Sequence, residues 1–446
     1  MINKSSTKKA DFSRLIYENM LWRGLFLVSS LVLNICIARY YGAAASGWIF
    51  YVFSYYTLFI EVLGFSMETG ISYYTAKNEL PLPGLLGFSG ALAVAAAVPV
   101  FIFFRLYLPE PLRGLPPGFV LFSAICYISG YILMNCCSAL FYARKNFILP
   151  NLFSLCINGA LIVLLLLSGK NTDPAIDHHF FIYMLFASFL VQGVLMFASV
   201  LLAPAGKPLL QLPNGEALKK IVRYSRQAFI ANTVFFMLYR IDYWFVEKYC
   251  NPYDLGNYIQ VSRLVQLFLV LPVMMAGVIF PATAGGEQAA INRSLKTMTA
   301  SLLFLYAIVC GVLVLTGKWL FPFVFGASFY NMYGPFLLLI PGIFALSTLS
   351  LFAAYYAGKN RVRINVQGSL LALAVIITGD VLFIPAYGIM AAALVSSIGY
   401  MAYSIYVLMV FKKEYGLGWS YFLSVQKKDL GWIKDIVLAN TFKRNQ

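Results

Sequence analysis

Residues 297–316 read TMTASLLFLYAIVCGVLVLT, a stretch without a single charged side chain. About 20 mostly apolar residues suffice for a helix to cross the hydrocarbon core of a bilayer. The rest of the chain has the same character, because 61% of its 446 residues are hydrophobic and only 11% are charged. Soluble domains carry about 25% charged residues. The stretch and the composition together predict a polytopic membrane protein.

Apolar windows of this length recur along the whole chain. Twelve of them lie near residues 20–40, 47–73, 84–107, 118–142, 147–168, 180–202, 225–247, 255–282, 297–316, 333–357, 365–384 and 388–411. Backbone groups inside the hydrocarbon must bond within their own segment, so each continuous apolar window predicts a helix. We therefore expect an all-α polytopic membrane protein with twelve transmembrane helices and with both termini on one side.

The net charge of +16 is distributed unevenly between the two predicted sides of the membrane. With the N terminus placed in the cytoplasm, 24 of the 33 Lys and Arg residues fall on the inner side, six fall outside and three lie within spans. Such an excess on the inner side is the positive-inside signal of membrane proteins. The charge thus predicts cytoplasmic termini and gives no support for a nucleic-acid partner.

Two internal alignments indicate a duplicated unit. An offset of 209 aligns RYYGAAASG (39–47) with KYCNPYDLG (248–256), and an offset of 214 aligns YARKNFILPN (142–151) with YAGKNRVRIN (356–365). A repeat of six helices has parallel topology, so we expect two six-helix lobes around a central cavity. The expected domains are an N-terminal lobe (1–203), a cytoplasmic linker (204–224), a C-terminal lobe (225–411) and a basic cytoplasmic tail with an amphipathic segment (412–446).

Charged residues inside the predicted spans are the candidate functional residues. An Arg or Asp at a helix centre costs about 2.5–3.5 kcal/mol on insertion scales, so it faces a partner or water and not lipid tails. The residues to which this rule applies are Arg23, Glu61, Glu68, Arg240, Asp242, Arg263 and Asp380.

The spacing of the charges in spans 7 and 8 leaves two interpretations open. Arg240 and Arg263 lie at a similar depth, about 10–12 Å below the turn that joins their helices. In one arrangement Asp242 pairs with Arg263, which leaves Arg240 available for an anionic ligand. In the other, an Arg–Asp pair only locks the two helices together.

The acidic residues of span 2 also allow two interpretations. Glu61 and Glu68 are seven positions apart, so they share a helix face. A pair between Glu68 and Arg23 forms either a gate at the inner mouth or a static packing bridge. Asp380 is expected near the outer end of span 11, where water reaches it, and we give it little importance.

Signatures of catalysis and of metal binding are absent from the sequence. It contains no H-E-x-x-H, paired C-x-x-C or G-x-S-x-G motif. The only two histidines are adjacent, at residues 178–179, and neighbouring side chains do not converge easily on a metal. We therefore expect a protein that is not an enzyme and that has neither a metal site nor a cofactor.

Two segments carry a family resemblance. Residues 35–74, which begin ICIARYYGAAASG, and residues 224–284, which contain RIDYWFVEKYCNPYDLGNY and Pro281, resemble the two half-starts of the bacterial polysaccharide-transporter, or O-antigen flippase, family. The similarity extends over most of the chain. It implies the fold of the multidrug, oligosaccharidyl-lipid and polysaccharide exporter superfamily, with two six-helix lobes around a central cavity.

The resemblance also implies a function. Members of the family move a polyprenyl-diphosphate-linked oligosaccharide, such as an O-antigen, capsule or exopolysaccharide repeat unit, from the inner to the outer leaflet of the bacterial inner membrane. Arg23, Arg240 and Arg263 are the positions matched to substrate binding, and Glu61, Glu68 and Asp242 are candidates for gating or ion coupling. The expected partners are this lipid-linked oligosaccharide and membrane lipids, with a glycan polymerase and glycosyltransferases as further partners.

The same fold leaves an alternative function open. A cation-coupled multidrug antiporter would depend on a carboxylate such as Asp242 or Glu61 and not on the three arginines. A lipid II flippase is related, but it typically has fourteen spans. A membrane-embedded polymerase or ligase would usually have a long outer loop, which this sequence lacks.

Overall fold

The apolar windows form long helices. A computed structural model of the protein describes residues 3–113, 115–168, 174–202, 211–284 and 288–416. Within these ranges there is no β-strand. The α-helices are α1 (Asn3–Gly64), α2 (Met67–Lys77), α3 (Leu82–Leu106), α4 (Pro117–Ala143), α5 (Ile148–Ser168), α6 (Pro174–Leu201), α7 (Gly215–Tyr249), α8 (Pro252–Leu267), α9 (Val270–Ala284), α10 (Gln288–Phe325), α11 (Tyr333–Gly358) and α12 (Val362–Tyr415). Short 3-10 helices occupy Glu110–Leu112 and Ala327–Met332.

The helices fit a protein that crosses the membrane many times. Nine segments of the described chain are long and apolar enough to span a bilayer. Two of them, Glu18–Gly64 and Val362–Tyr415, contain 47 and 54 residues, about twice the length that one span requires. The all-α, multi-pass fold class is thus confirmed, while the count of twelve spans stays a prediction.

Each of these two long helices is interrupted by a glycine. Gly42 in α1 has φ 71° and ψ −179°, and Gly388 in α12 has φ 57° and ψ −141°. Positive φ is costly for residues with a Cβ, but glycine adopts it freely. Gly42 lies between two of the predicted apolar windows, and Gly388 is the first residue of the last window, so the chain turns where the windows separate.

The chain forms two compact units. Unit 1 comprises Met1–Tyr41 and Ile49–Thr233, and unit 2 comprises Gly42–Trp48 and Val234–Gln446. The first part of α7, through Thr233, therefore belongs to unit 1, and the short segment after the kink of α1 belongs to unit 2. Residues 204–210 of the predicted linker and residues 417–446 of the predicted tail lie outside the described part. The domain boundaries predicted at 203 and 225 stay a prediction.

In unit 1, glycines allow α4 and α6 to cross closely. A Cβ at Gly130 would collide with the backbone of Leu190, and Gly193 lies against the carbonyl oxygen of Gly130. Beside the crossing, the rings of Phe53 and Tyr127 stack with their centroids 4.9 Å apart. Small residues favour helix contacts in a membrane because they let the two backbones approach each other.

In unit 2, the two halves of α12 lie side by side. The first half runs from Val362 to Gly388 and the second half runs from Gly388 to Tyr415. A Cβ at Gly368 in the first half would collide with the ring of Tyr403 in the second half, and a Cβ at Gly399 would collide with Ile376. Tyr406 joins the halves through a hydrogen bond from its hydroxyl to Gln367 Oε1, at 2.7 Å.

Backbone geometry supports the internal repeat. The loop after α4 contains Lys145 at φ 61°, and the loop after α11 contains Asn360 at φ 58°. Asn146 N donates to Phe141 O at 2.9 Å, and Arg361 N donates to Tyr356 O at 2.9 Å. The same turn thus follows both helices, one residue out of the register that the sequence alignment predicts.

Candidate substrate and ion sites

Arg240 is held in place by neutral partners within unit 2. Its Nη1 donates to the Tyr243 hydroxyl at 2.6 Å and its Nη2 donates to Gln266 Oε1 at 3.0 Å. The guanidinium carbon lies 5.1 Å from the centroid of the Tyr243 ring. None of these hydrogen-bond partners carries an opposite charge, so they orient the guanidinium without neutralising it. The carboxylate of Asp242 lies within electrostatic reach of Arg240.

Asp242 is buried and is bound by hydroxyl groups. Its side chain is 2% exposed. Its Oδ2 accepts hydrogen bonds from the Tyr258 hydroxyl and from Ser396 Oγ, the latter at 3.2 Å. Its Oδ1 has no hydrogen-bond partner within the described part of the chain. The predicted pair between Asp242 and Arg263 is therefore not formed. The prediction was wrong because α8 presents Tyr258, five residues earlier in the chain, to this carboxylate.

Asp380 lies beside Asp242 in the same unit. Its side chain is fully buried, and neither of its carboxylate oxygens has a hydrogen-bond partner among the described residues. Asp380 lies within electrostatic reach of Asp242. The expectation that water reaches Asp380 was wrong, because the second half of α12 covers it: Val395 packs directly against the neighbouring Gly379.

Asp242 and Asp380 thus form an incomplete polar site, which we call the carboxylate pair. Two carboxylates in a low-dielectric interior repel each other, and both can ionise only when a cation compensates them. Tyr258 and Ser396 supply hydroxyl groups at one side of the pair. Sequence reasoning missed these two residues. A hydroxyl group in an apolar span has a much smaller insertion cost than a charge, so it does not stand out as a candidate.

Glu61 and Glu68 line one small cavity in unit 1. The helix does not continue between them as predicted. It breaks at Phe65 and Ser66, which have φ values of 48° and 49°. The cavity has a volume of about 30 Å³, enough for one or two water molecules. Its wall consists of Ile60, Glu61, Gly64, Ser66, Glu68, Ile132, Asn135 and Cys136.

The break in this helix is stabilised by the first part of α7. The rings of Phe65 and Phe229 stack with centroids 4.4 Å apart, and Asn232 Nδ2 donates to Ser66 Oγ at 3.0 Å. Further along α2, a Cβ at Gly70 would collide with the Ser225 hydroxyl. The two acidic residues are therefore held around the cavity by packing against α7, which sequence spacing alone does not reveal.

Arg23 contacts a tyrosine and not Glu68. Its guanidinium carbon lies 5.6 Å from the centroid of the Tyr142 ring, a distance at which a cation is attracted to the face of an aromatic ring. Across the described ranges, the ion pairs do not include one between Arg23 and Glu68. The predicted closed gate is therefore absent from this conformation. Arg263 lies partly buried on α8.

No metal centre is formed by the part of the chain that the structure describes: it contains no group of three or more His, Cys, Asp or Glu residues that could hold an ion. The adjacent histidines, His178 and His179, belong to α6, but their side chains lie outside the described residues.

Comparison with solved structures shows which known proteins share this fold. The chain is 14% identical to the lipid II flippase MurJ in an inward closed conformation, covering 94% of this chain and 92% of that one with a TM-score of 0.68. It is also 14% identical to a multidrug resistance MATE family transporter of the MOP superfamily in an inward-facing conformation, with coverages of 88% and 94% and a TM-score of 0.68. A MOP superfamily transporter from Pyrococcus furiosus matches at 14% identity, with coverages of 91% and 95% and a TM-score of 0.60. The chain thus has the fold that these transporter structures share.

Part of the sequence also matches a known protein family. Residues 178–333 match the family described as "Polysaccharide biosynthesis protein". This match confirms the resemblance to polysaccharide transporters and flippases that the sequence indicated. Among curated proteins, none matches the chain significantly. The matched segment includes Arg240, Asp242, Tyr258 and Arg263.

Proposed function

We propose that the protein is a flippase that moves a polyprenyl-diphosphate-linked oligosaccharide from the cytoplasmic to the outer leaflet by alternating access. The observation that carries this proposal is the polysaccharide family match over residues 178–333, because this segment contains Arg240, whose guanidinium is hydrogen-bonded to the neutral side chains of Tyr243 and Gln266. The oligosaccharide would be an O-antigen, capsule or exopolysaccharide repeat unit, and the membrane would be a bacterial inner membrane with both termini in the cytoplasm.

Arginine suits the diphosphate of such a substrate. A diphosphate and its sugars cannot cross about 30 Å of hydrocarbon without replacement of their hydration shell. The guanidinium stays charged when it is buried, and its planar fork matches phosphate oxygens. We assign substrate binding to Arg23, Arg240 and Arg263. Tyr243 and Gln266 orient Arg240, so its binding geometry does not depend on a carboxylate.

The carboxylate pair is proposed to couple transport to an ion. Proton or cation binding there would relieve the repulsion between Asp242 and Asp380, and its release would restore that repulsion. Such a change in charge shifts unit 2 toward the conformation in which that charge state has the lower free energy. Glu61 and Glu68 are proposed to take part in gating or coupling in unit 1, because their cavity has room for water and brings the two carboxylates together. A glycan polymerase and glycosyltransferases are proposed as partners.

The second candidate function is a cation-coupled multidrug antiporter. The buried carboxylate pair favours it, since a carboxylate site serves a cationic drug or a coupling ion equally well. The two candidates differ in the role of the arginines. A flippase needs them for the diphosphate, whereas an antiporter of cationic drugs does not.

Replacing Arg240 by Ala is expected to lower the export of surface glycan at least tenfold, while the protein remains in the membrane. The reason is the loss of charged hydrogen bonds to phosphate, each contributing about 1.5–3 kcal/mol. The measurement is glycan display by cells in which the variant is the sole copy, with protein abundance measured in parallel.

The matched control for this experiment is Arg105→Ala, which removes an exposed arginine near the end of α3 and should leave export unchanged. Wild-type glycan display by Arg240→Ala, together with drug efflux that depends on Asp242, would favour the antiporter over the flippase.

A further inference from the structure

One end of unit 2 contains the end of α11 and both ends of α12. The described residues at this end carry more positive than negative charge. Glu414 accepts hydrogen bonds from Lys359 Nζ at 2.7 Å and from Arg361 Nη1 at 2.9 Å, and the Tyr356 hydroxyl donates to it at 3.3 Å. We call the cations here the α12 basic end: Lys359, Arg361, Arg363, Lys412 and Lys413. Among the described residues of this end, Glu414 pairs with two of these five cations, Lys359 and Arg361.

Two of these cations are not paired with Glu414. Arg363 and Lys413 are exposed, and neither forms an ion pair with any described residue. Arg361 also keeps 49% of its side chain exposed despite its contact with Glu414. The α12 basic end therefore presents positive charge to its surroundings.

Apolar stripes lead from these cations along the membrane-facing surface. Ile405 and Met409 are 44% and 51% exposed, and with Lys413 they recur every four residues, so they share one helix face. On the first half of α12, Arg363 is followed by Leu370 and Leu371, which are 49% and 44% exposed. On the first half of α12, the exposed Gln367 lies between Arg363 and the two leucines. Both stripes have their cation at the same end of unit 2.

An apolar groove lies further along the same two stripes. It has a volume of about 430 Å³ and is lined by Ala374, Thr378, Leu382, Phe383, Val395 and Ile398, among others. Ala374 is eleven residues beyond Arg363, about 16 Å along the helix. This distance is about half of the roughly 30 Å hydrocarbon core, the depth that the chains of one leaflet reach.

We propose that the α12 basic end and this groove form a binding site for an anionic phospholipid of the bilayer. The phosphate and the acidic headgroup contact Arg361, Arg363 and Lys413, and one acyl chain follows the exposed stripe until its end enters the groove. Arg and Lys at the membrane surface attract anionic headgroups, and basic pockets between transmembrane helices hold such lipids specifically. This site is independent of the transported substrate, because its chemistry is that of the surrounding lipid.

The test is lipid binding by the full-length protein, measured by native mass spectrometry with phosphatidylglycerol and phosphatidylcholine as probes. We expect the wild type to retain phosphatidylglycerol in preference to phosphatidylcholine. Neutralising two exposed cations in R363Q/K413Q should weaken phosphatidylglycerol binding about tenfold. The charge-retaining R363K/K413R should bind like the wild type, which separates loss of charge from loss of folding.

The matched control is R144Q/K145Q, which removes the same charge from the corresponding exposed loop of unit 1. It should leave the binding of phosphatidylglycerol to the α12 site intact. Equal weakening by both double variants, or equal retention of the two lipids by the wild type, would overturn the proposal. Displacement of phosphatidylglycerol by an equimolar polyprenyl phosphate would also overturn it, since the site would then belong to a substrate chain.

Discussion

Asp380→Asn is expected to abolish ion-dependent transport while leaving the protein at least as stable as the wild type. Neither carboxylate oxygen of Asp380 accepts a hydrogen bond from a described residue, so the substitution removes no contact. It does remove a buried charge next to Asp242, and an uncompensated buried charge is destabilising. We expect transport to fall at least tenfold and the thermal midpoint to stay level or rise.

Asp242→Asn should lower both transport and stability, unlike Asp380→Asn. Transport is again lost, but the variant is less stable, because the hydrogen bonds from Tyr258 and Ser396 no longer reach a charged acceptor. The expected cost is about 1 kcal/mol.

These variants are compared by glycan export and by the shift of thermal unfolding with added NaCl or with pH. Asp254→Asn is the control: its carboxylate lies at the start of α8, where Asn251 and Asn331 donate to it at 2.7 and 2.6 Å. It should keep wild-type export and the ion-dependent shift. Full export by Asp380→Asn and Asp242→Asn would exclude the carboxylate pair from coupling.

The second large effect is expected at Gly256, where two segments of unit 2 cross. A Cβ on Gly256 would collide with the carbonyl group of Ala43, and a Cβ on Gly47 would collide with the backbone of Gly256. Nearby, Ser328 Oγ accepts a hydrogen bond from Ala43 N at 3.0 Å. Since the colliding atoms belong to the backbone, no side-chain rotation can make room.

Gly256→Ala should therefore destabilise the protein by about 3 kcal/mol or more, and Gly256→Leu should prevent accumulation of folded protein. The measurement is the thermal midpoint and the yield of monodisperse protein in detergent. Gly311→Ala in α10 is the control, because a Cβ there has no neighbour within 4 Å. Alanine is the better helix former, so Gly311→Ala should be neutral or stabilising. A Gly256→Ala variant as stable as Gly311→Ala would contradict the close approach.

The interruptions of the helices could be predicted only in part. Gly42 lies between two apolar windows and Gly388 begins the last one, so a turn at each is apparent from the sequence. The break at Phe65 and Ser66 carries no such signal, because neither residue favours positive φ. It persists because Phe229 and Asn232 of α7 contact it. Packing between distant segments therefore decided the shape of the cavity around Glu61 and Glu68.

Membrane insertion, helical structure and the list of buried charges followed from the sequence by itself. Each depends on a local property: the transfer of about 20 consecutive side chains out of water, and the cost of a charge among them. The family resemblance was likewise present in short local segments. The partners of those charges were decided only by the tertiary structure. Asp242 contacts Ser396, and Asp380 lies beside Asp242. The members of each pair are far apart in the sequence, and local sequence patterns do not predict that they meet. A charge in a span predicts that a partner or water must exist, and only the folded chain determines which it is.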